Sequence, residues 1–267
     1  MIDVIKQLIA ATPDIEGKLN RAREFLQIVI LKILYDKATL DCISFTGGTA
    51  LRILFDLRRF SEDMDFSLVK KEGYNFANIH QELISGLKLH GFVVEVKSNE
   101  ENKVNSLLLR FSELLKPLGL SPLHSQKLAI KLEIDTNPPM GGHLVDTLVN
   151  KTYIFNVLHF DLPSLFATKL HACFYRKYTK GRDYYDFLWY TGKKIKPNYI
   201  LLNNAITQTQ GKTPEINEEN LKSFLLKHIK QVDFIKVKQD VERFLEDKSE
   251  LKLLELKTIK QAIEAAY

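Results

Sequence analysis

The sequence predicts an α+β protein, a mixed-sheet domain followed by a helical one, on three observations. Short apolar runs with period-two alternation fall before about residue 160. Beyond that point apolar residues recur at helical spacing, segment after segment. At 267 residues the chain is long enough for two such cores. The change of character near residues 158–163 sets the expected domains at 1–160 and 161–267.

Each element has its own reason. In "TPDIEGKLNRAREFLQIVILKILYDK", Thr12 reads as an N-cap with Pro13 at the first helical position. Ala22, Phe25, Leu26, Val29, Ile33 and Leu34 then mark one buried helical face. "CISFT" is an apolar strand ending in Gly47-Gly48, and "TALRILFDL" is a short helix. "DMDFSLV" alternates Met64, Phe66 and Leu68 against Asp63, Asp65 and Ser67, as a half-buried strand does. A helix over 75–90 stops at Gly91. "FVVEVK", "VNSLLLRF" and "KLAIKLEID" read as strands, with "NPPMGG" closing the last. The second domain reads as helices in "DLPSLFATKLHACFYRKY", "RDYYDFLWYTG", "NYILLNNAIT", "NEENLKSFLLKHIKQV", "VKQDVERFLED" and "ELKLLELKTIKQAIEAA".

Composition narrows the function classes. No window approaches the roughly 18 unbroken apolar residues of a membrane helix. "MIDVIKQLIAATPDIEG" carries Asp3 and frequent polar breaks, unlike a signal peptide. Cys42 and Cys173 sit in apolar surroundings, so the expectation is reduced, buried thiols in a cytoplasmic protein. The formal net charge of +5 suits a polyanionic partner without requiring one. The histidines are scattered, with no HExxH and no zinc spacing, and there is no GxSxG elbow.

One constellation carries chemistry. On a strand, Asp63 and Asp65 point the same way with Cα atoms about 6.6 Å apart, so both can serve one divalent cation. Upstream, Gly47 and Gly48 allow close backbone approach, and the following helix turns its first N–H groups toward an anion. Thr49 adds a hydroxyl. The P-loop ending and the dinucleotide GxGxxG are both absent. In "AIKLEID", Lys131, Glu133 and Asp135 share the polar face, and parity alone does not choose between the two acids for a metal ligand or base. In the helical domain, Lys169 and Arg176 lie seven residues apart on one face, as Asp183 and Asp186 do at i, i+3. Taken singly, each of these patterns also describes an ordinary turn, polar strand face or salt-bridge patch.

Together they resemble a known family. "GGTALRILFDLRRFSEDMDFSL", "IKLEID" and "KLHACFYRKYTKGRDYYDF" are similar, in order, to the motifs of the AbiEii/AbiGii toxins, a branch of the nucleotidyltransferase superfamily. Thr49 stands where superfamily members usually have serine. The resemblance implies a nucleotidyltransferase fold whose helical domain completes the active-site cleft, Mg²⁺ (or Mn²⁺), an NTP donor and a cognate antitoxin. It implies transfer of NMP to an acceptor hydroxyl, with RNA, a tRNA 3′ end, as the expected acceptor. Gly47, Gly48 and Thr49 would cradle phosphates, Asp63 and Asp65 would hold metal, and Glu133 would be the third acid. Lys169 would meet the triphosphate with Arg176 near it, and Asp183 or Asp186 would be the distal acid. The expected geometry has Asp63, Asp65 and Glu133 converging beside the Gly47-Gly48 turn. The alternatives are a non-catalytic nucleic-acid or protein interaction module, or a nucleotidyltransferase that modifies a small molecule or a protein.

Overall fold

The computed structural model describes residues 1–101 and 103–267. The chain divides into two compact units. One comprises Met1–Asp56, Phe60–Pro138 and Val145–His159; the other comprises Leu57–Arg59, Pro139–Leu144 and Phe160–Tyr267. The second thus takes in two short stretches that precede residue 160.

Among the described residues, seven strands form a single mixed sheet: β1 (Ile43–Thr46), β2 (Met64–Leu68), β3 (Val93–Glu100), β4 (Val104–Ser112), β5 (Leu128–Asp135), β6 (Leu144–Asn150) and β7 (Ile154–Phe160). Their order is β3-β4-β5-β2-β1-β7-β6. β2 runs antiparallel to β1 and parallel to β5, and β7 is parallel to β1. β5 alternates buried Leu128, Ile130, Leu132 and Ile134 with more exposed Ala129, Lys131, Glu133 and Asp135. Period-two alternation therefore leaves one apolar and one polar face along this strand.

The apolar face packs against helices α1 (Ile2–Ala10), α2 (Ile15–Asp36) and α4 (Phe76–Leu89), while α3 (Gly47–Phe55) follows β1 directly. Along α2, Ala22, Phe25, Leu26, Val29 and Ile33 are buried as the spacing predicts. Its cap is Asp14 rather than Thr12, with the Asp14 carboxylate accepting from Gly17 N at 2.8 Å. A carboxylate two residues closer to the first turn satisfies an N–H that Thr12 does not reach. Gly86 in α4 lets α2 approach: a Cβ there would lie 2.7 Å from Ile33 Cγ2.

α1, β6 and β7 go beyond the sequence expectation. β6 is an edge strand whose residues are mostly exposed, so "LVDTLVN" lacks a clean alternation. In β7 the inward row is Phe155, Val157 and His159, and a buried histidine breaks the apolar pattern. His159 is satisfied there by Thr147, whose hydroxyl lies 2.7 Å from Nε2.

The second unit holds α5 (Leu162–Tyr175), α6 (Gly181–Gly192), α7 (Tyr199–Gln210), α8 (Glu218–Ile229), α9 (Phe234–Val241) and α10 (Leu256–Ala266). Side chains cap several of them: Asp161 for α5, Asn198 for α7, Asp233 for α9, and an Asn217/Asn220 capping box for α8. Phe166 of α5 stacks on Tyr190 of α6 with centroids 4.5 Å apart. The segment expected as one last helix divides into a 3₁₀ stretch, Lys248–Leu253, and α10.

Candidate active site

In the sheet unit, the chain leaves β1 at Thr46, turns at Gly47 and enters α3 at once, two residues earlier than the apolar pattern suggests. Gly47 has φ +73°, a conformation that any side chain would strain. Its open flank is filled by Asp65. A Cβ on Gly47 would collide with Asp65 Oδ2 and lie 2.9 Å from Asp65 Cγ. The β1/β2 register sets this up by placing Thr46 opposite Asp65. No side chain caps α3, and the Asp65 carboxylate lies against its first residue, Gly47.

Gly47→Ala is accordingly expected to destabilise the protein by about 1–3 kcal/mol through backbone strain and to push Asp65 out of place. Chemical denaturation beside a transfer assay checks this. Wild-type stability with wild-type transfer in Gly47→Ala would contradict the seating of Asp65 on that turn.

Thr49 has a different partner from the one its sequence context suggests. It is fully buried, and its hydroxyl donates to the main-chain carbonyl of Asp63. Thr49 thus ties α3 to the segment that carries both aspartates. A serine would supply the same hydroxyl; the extra methyl of threonine is accommodated in the core.

On the other side of β2, Asp65 is in register with Glu133 of the parallel strand β5. Asp65 and Glu133 are both half-buried. Lys131, two residues before Glu133, donates to Glu133 Oε1 at 2.6 Å. Its pKa is raised, chiefly by that hydrogen bond, partly opposed by burial, and further by the charges of Glu133, Asp63 and Asp65. Among the described residues, no three His, Cys, Asp or Glu side chains are gathered closely enough to hold a metal by themselves. Glu133, expected beside Asp63 and Asp65, is adjacent to Asp65 in the sheet and is engaged by Lys131. Asp135 is half-buried further along β5 and accepts from Asn137 N at 2.9 Å. Burial raises its pKa.

The helical unit contains a second charged cluster. Lys169 of α5 lies 2.8 Å from Asp183 Oδ1 and 2.8 Å from Asp186 Oδ2, both on α6. Arg176 meets Asp183 Oδ2 at 2.8 Å. Arg59 grips Asp186 with Nε at 2.7 Å and Nη2 at 2.6 Å, a two-pronged pair in which both side chains are almost wholly buried. Burial pulls the Lys169 pKa down, but Asp183 and Asp186 more than offset this and raise it. Burial pushes Asp183 up, and Lys169 and Arg176 more than reverse that. The Lys169 ammonium, expected at a triphosphate, lies between two carboxylates and is nearly buried. Arg176 keeps a partly exposed side chain.

The structure thus brings Gly47, Gly48, Thr49, Asp63, Asp65 and Glu133 together in one unit, and Lys169, Arg176, Asp183 and Asp186 together in the other. Sequence reasoning gave no role to Lys131 or Arg59. The signal for Lys131 was its place on the same strand face as Glu133. Arg59 left none, since Asp186 is 127 residues away.

The family model described as nucleotidyl transferase AbiEii toxin, type IV TA system, matches residues 30–265. Two solved Helicobacter pylori structures are similar in fold. JHP933 matches with 20% identity and a TM-score of 0.53, over 92% of each chain. A candidate nucleotidyltransferase matches with 20% identity and a TM-score of 0.51, over 92% of this chain and 96% of that one. No curated protein matches the sequence significantly.

Proposed function

Since the chain belongs to the AbiEii nucleotidyl transferase toxin family of type IV toxin–antitoxin systems, we propose that its transfer site is the Gly47–Asp65 turn and that its acceptor is RNA. The enzyme is a nucleotidyltransferase, its donor is an NTP, and the family implies a cognate antitoxin. No helix among the described residues is long and apolar enough to cross a membrane.

The observation that carries the site assignment is Asp65, seated against the positive-φ Gly47 and in register with Glu133. The Gly47-Gly48 backbone and the first turn of α3 receive the triphosphate, because no side chain caps these amides and the helix start favours negative charge. Thr49 fixes this turn to Asp63 through its buried hydrogen bond. The donor set fits Mg²⁺ or Mn²⁺: it is all oxygen, with Asp63 just before β2 and Asp65 on it beside Glu133, and such ions take one or two carboxylates together with substrate phosphates. Asp63 and Asp65 would hold the metal. When bound, the metal supplies charge neutralisation at the α-phosphate and helps orient the in-line attack. Glu133 takes the proton of the attacking hydroxyl. The acceptor oxygen bonds to the α-phosphorus, the bond to the bridging oxygen breaks, and pyrophosphate leaves.

In the helical unit, Lys169, Arg176, Asp183 and Asp186, with Arg59, hold α5 to α6. RNA as acceptor is supported by the net charge of +5 and the lysine-rich C-terminal third. The test uses α-labelled NTPs and total RNA, with intact or periodate-oxidised 3′ ends. Label should enter intact RNA alone. Equal labelling of oxidised RNA, or label found only on protein or a small molecule, would overturn the 3′-hydroxyl acceptor.

A further inference from the structure

Lys131 has no part in the transfer steps above, yet it holds the most telling position on the polar face of the sheet. β5 runs parallel to β2 with Leu132 beside Met64 and Glu133 beside Asp65. Lys131 directly precedes Leu132, and Asp63 directly precedes its partner Met64. The ammonium donates to Glu133 Oε1 at 2.6 Å, and the side chain is 44% exposed. Carboxylates gathered on one face repel each other unless a cation balances them. A lysine suits that task as a compact point charge on a flexible stem.

We propose that Lys131 is a displaceable counter-ion. Its ammonium balances Asp63, Asp65 and Glu133 in the metal-free protein and leaves Glu133 when a divalent cation binds. Lysine and metal then compete for the same carboxylates, so the resting protein binds metal more weakly than its acids alone would. This rests on the reading of Asp63 and Asp65 as metal ligands.

The test is calorimetric titration of Mn²⁺, without nucleotide, into the full chain. Lys131→Met should bind Mn²⁺ about tenfold more tightly than wild type, roughly 1.4 kcal/mol. Lys131→Gln should behave the same way, guarding against a folding defect peculiar to methionine. Lys131→Arg, which keeps the charge, should stay near wild type. In a Glu133→Gln background the gain from Lys131→Met should largely vanish, because the contact to be displaced is gone. Unchanged or weaker affinity in both neutral variants would overturn the proposal. So would an equal gain in the Glu133→Gln background, which would mark a through-space charge effect only. If Mn²⁺ binding survives in Asp65→Asn, or is absent from every variant, the metal-site reading itself fails. Binding lost in Asp65→Asn but unaltered by Lys131→Met or Lys131→Gln removes only the role of Lys131.

Discussion

Asp65→Asn is expected to lower transfer by about a thousandfold while leaving the protein folded. The amide is nearly isosteric with the carboxylate, and Asp65 lies on the half-buried polar side of β2 rather than among Met64 and Phe66. What disappears is the negative charge needed to hold a cation at the reacting phosphate. Several kcal/mol of transition-state stabilisation go with such a cation, and each 1.4 kcal/mol is a factor of ten in rate. Circular dichroism and a thermal melt establish the fold, and single-turnover transfer reads the chemistry. A folded Asp65→Asn protein with transfer within tenfold of wild type would remove Asp65 from the site.

Asp186→Asn is expected to have the largest effect on stability. The side chain is fully buried and lies within 2.8 Å of both Arg59 and Lys169. Neutralising it leaves two buried cations facing less negative charge. Breaking a buried pair by removing one partner typically costs about 3–5 kcal/mol. The half-exposed Lys131–Glu133 pair, by contrast, belongs with surface ion pairs that contribute about 0–1 kcal/mol. Trp189 is the single tryptophan and sits on α6, three residues beyond Asp186, so its fluorescence reports unfolding of the helical unit. Denaturant titration followed at Trp189 should show the loss. A change below about 1 kcal/mol would mean that the Arg59–Asp186–Lys169 cluster does not hold α5 to α6.

Legibility in the sequence was uneven, for identifiable reasons. β2 and β5 were readable because Met64, Phe66, Ile130, Leu132 and Ile134 alternate cleanly with polar residues, and that alternation is what a one-sided sheet requires. The same alternation put Asp63, Asp65 and Glu133 on the polar face. It could not say whether their carboxylates meet each other or a lysine, since that depends on rotamers and on Lys131. Helical spacing paired Lys169 with Arg176 and Asp183 with Asp186. Spacing within a helix does not reveal which helix faces which, so the buried cluster with Arg59 stayed hidden. Thr49 looked like a phosphate donor because hydroxyls at helix starts often are. Its burial against the Asp63 carbonyl is a tertiary fact. β6 escaped notice because an exposed edge strand has no core face to impose a pattern.

On this reading the chain transfers a nucleoside monophosphate through the Asp63/Asp65 site. The most direct measurement supplies NTP labelled at either the α- or the γ-phosphate, with RNA and Mg²⁺, to wild type and to Asp65→Asn. Wild type should move the α-label covalently onto RNA and release the γ-label as pyrophosphate, and Asp65→Asn should do neither. Transfer of the γ-label to the acceptor, or α-label transfer that persists in Asp65→Asn, would contradict it.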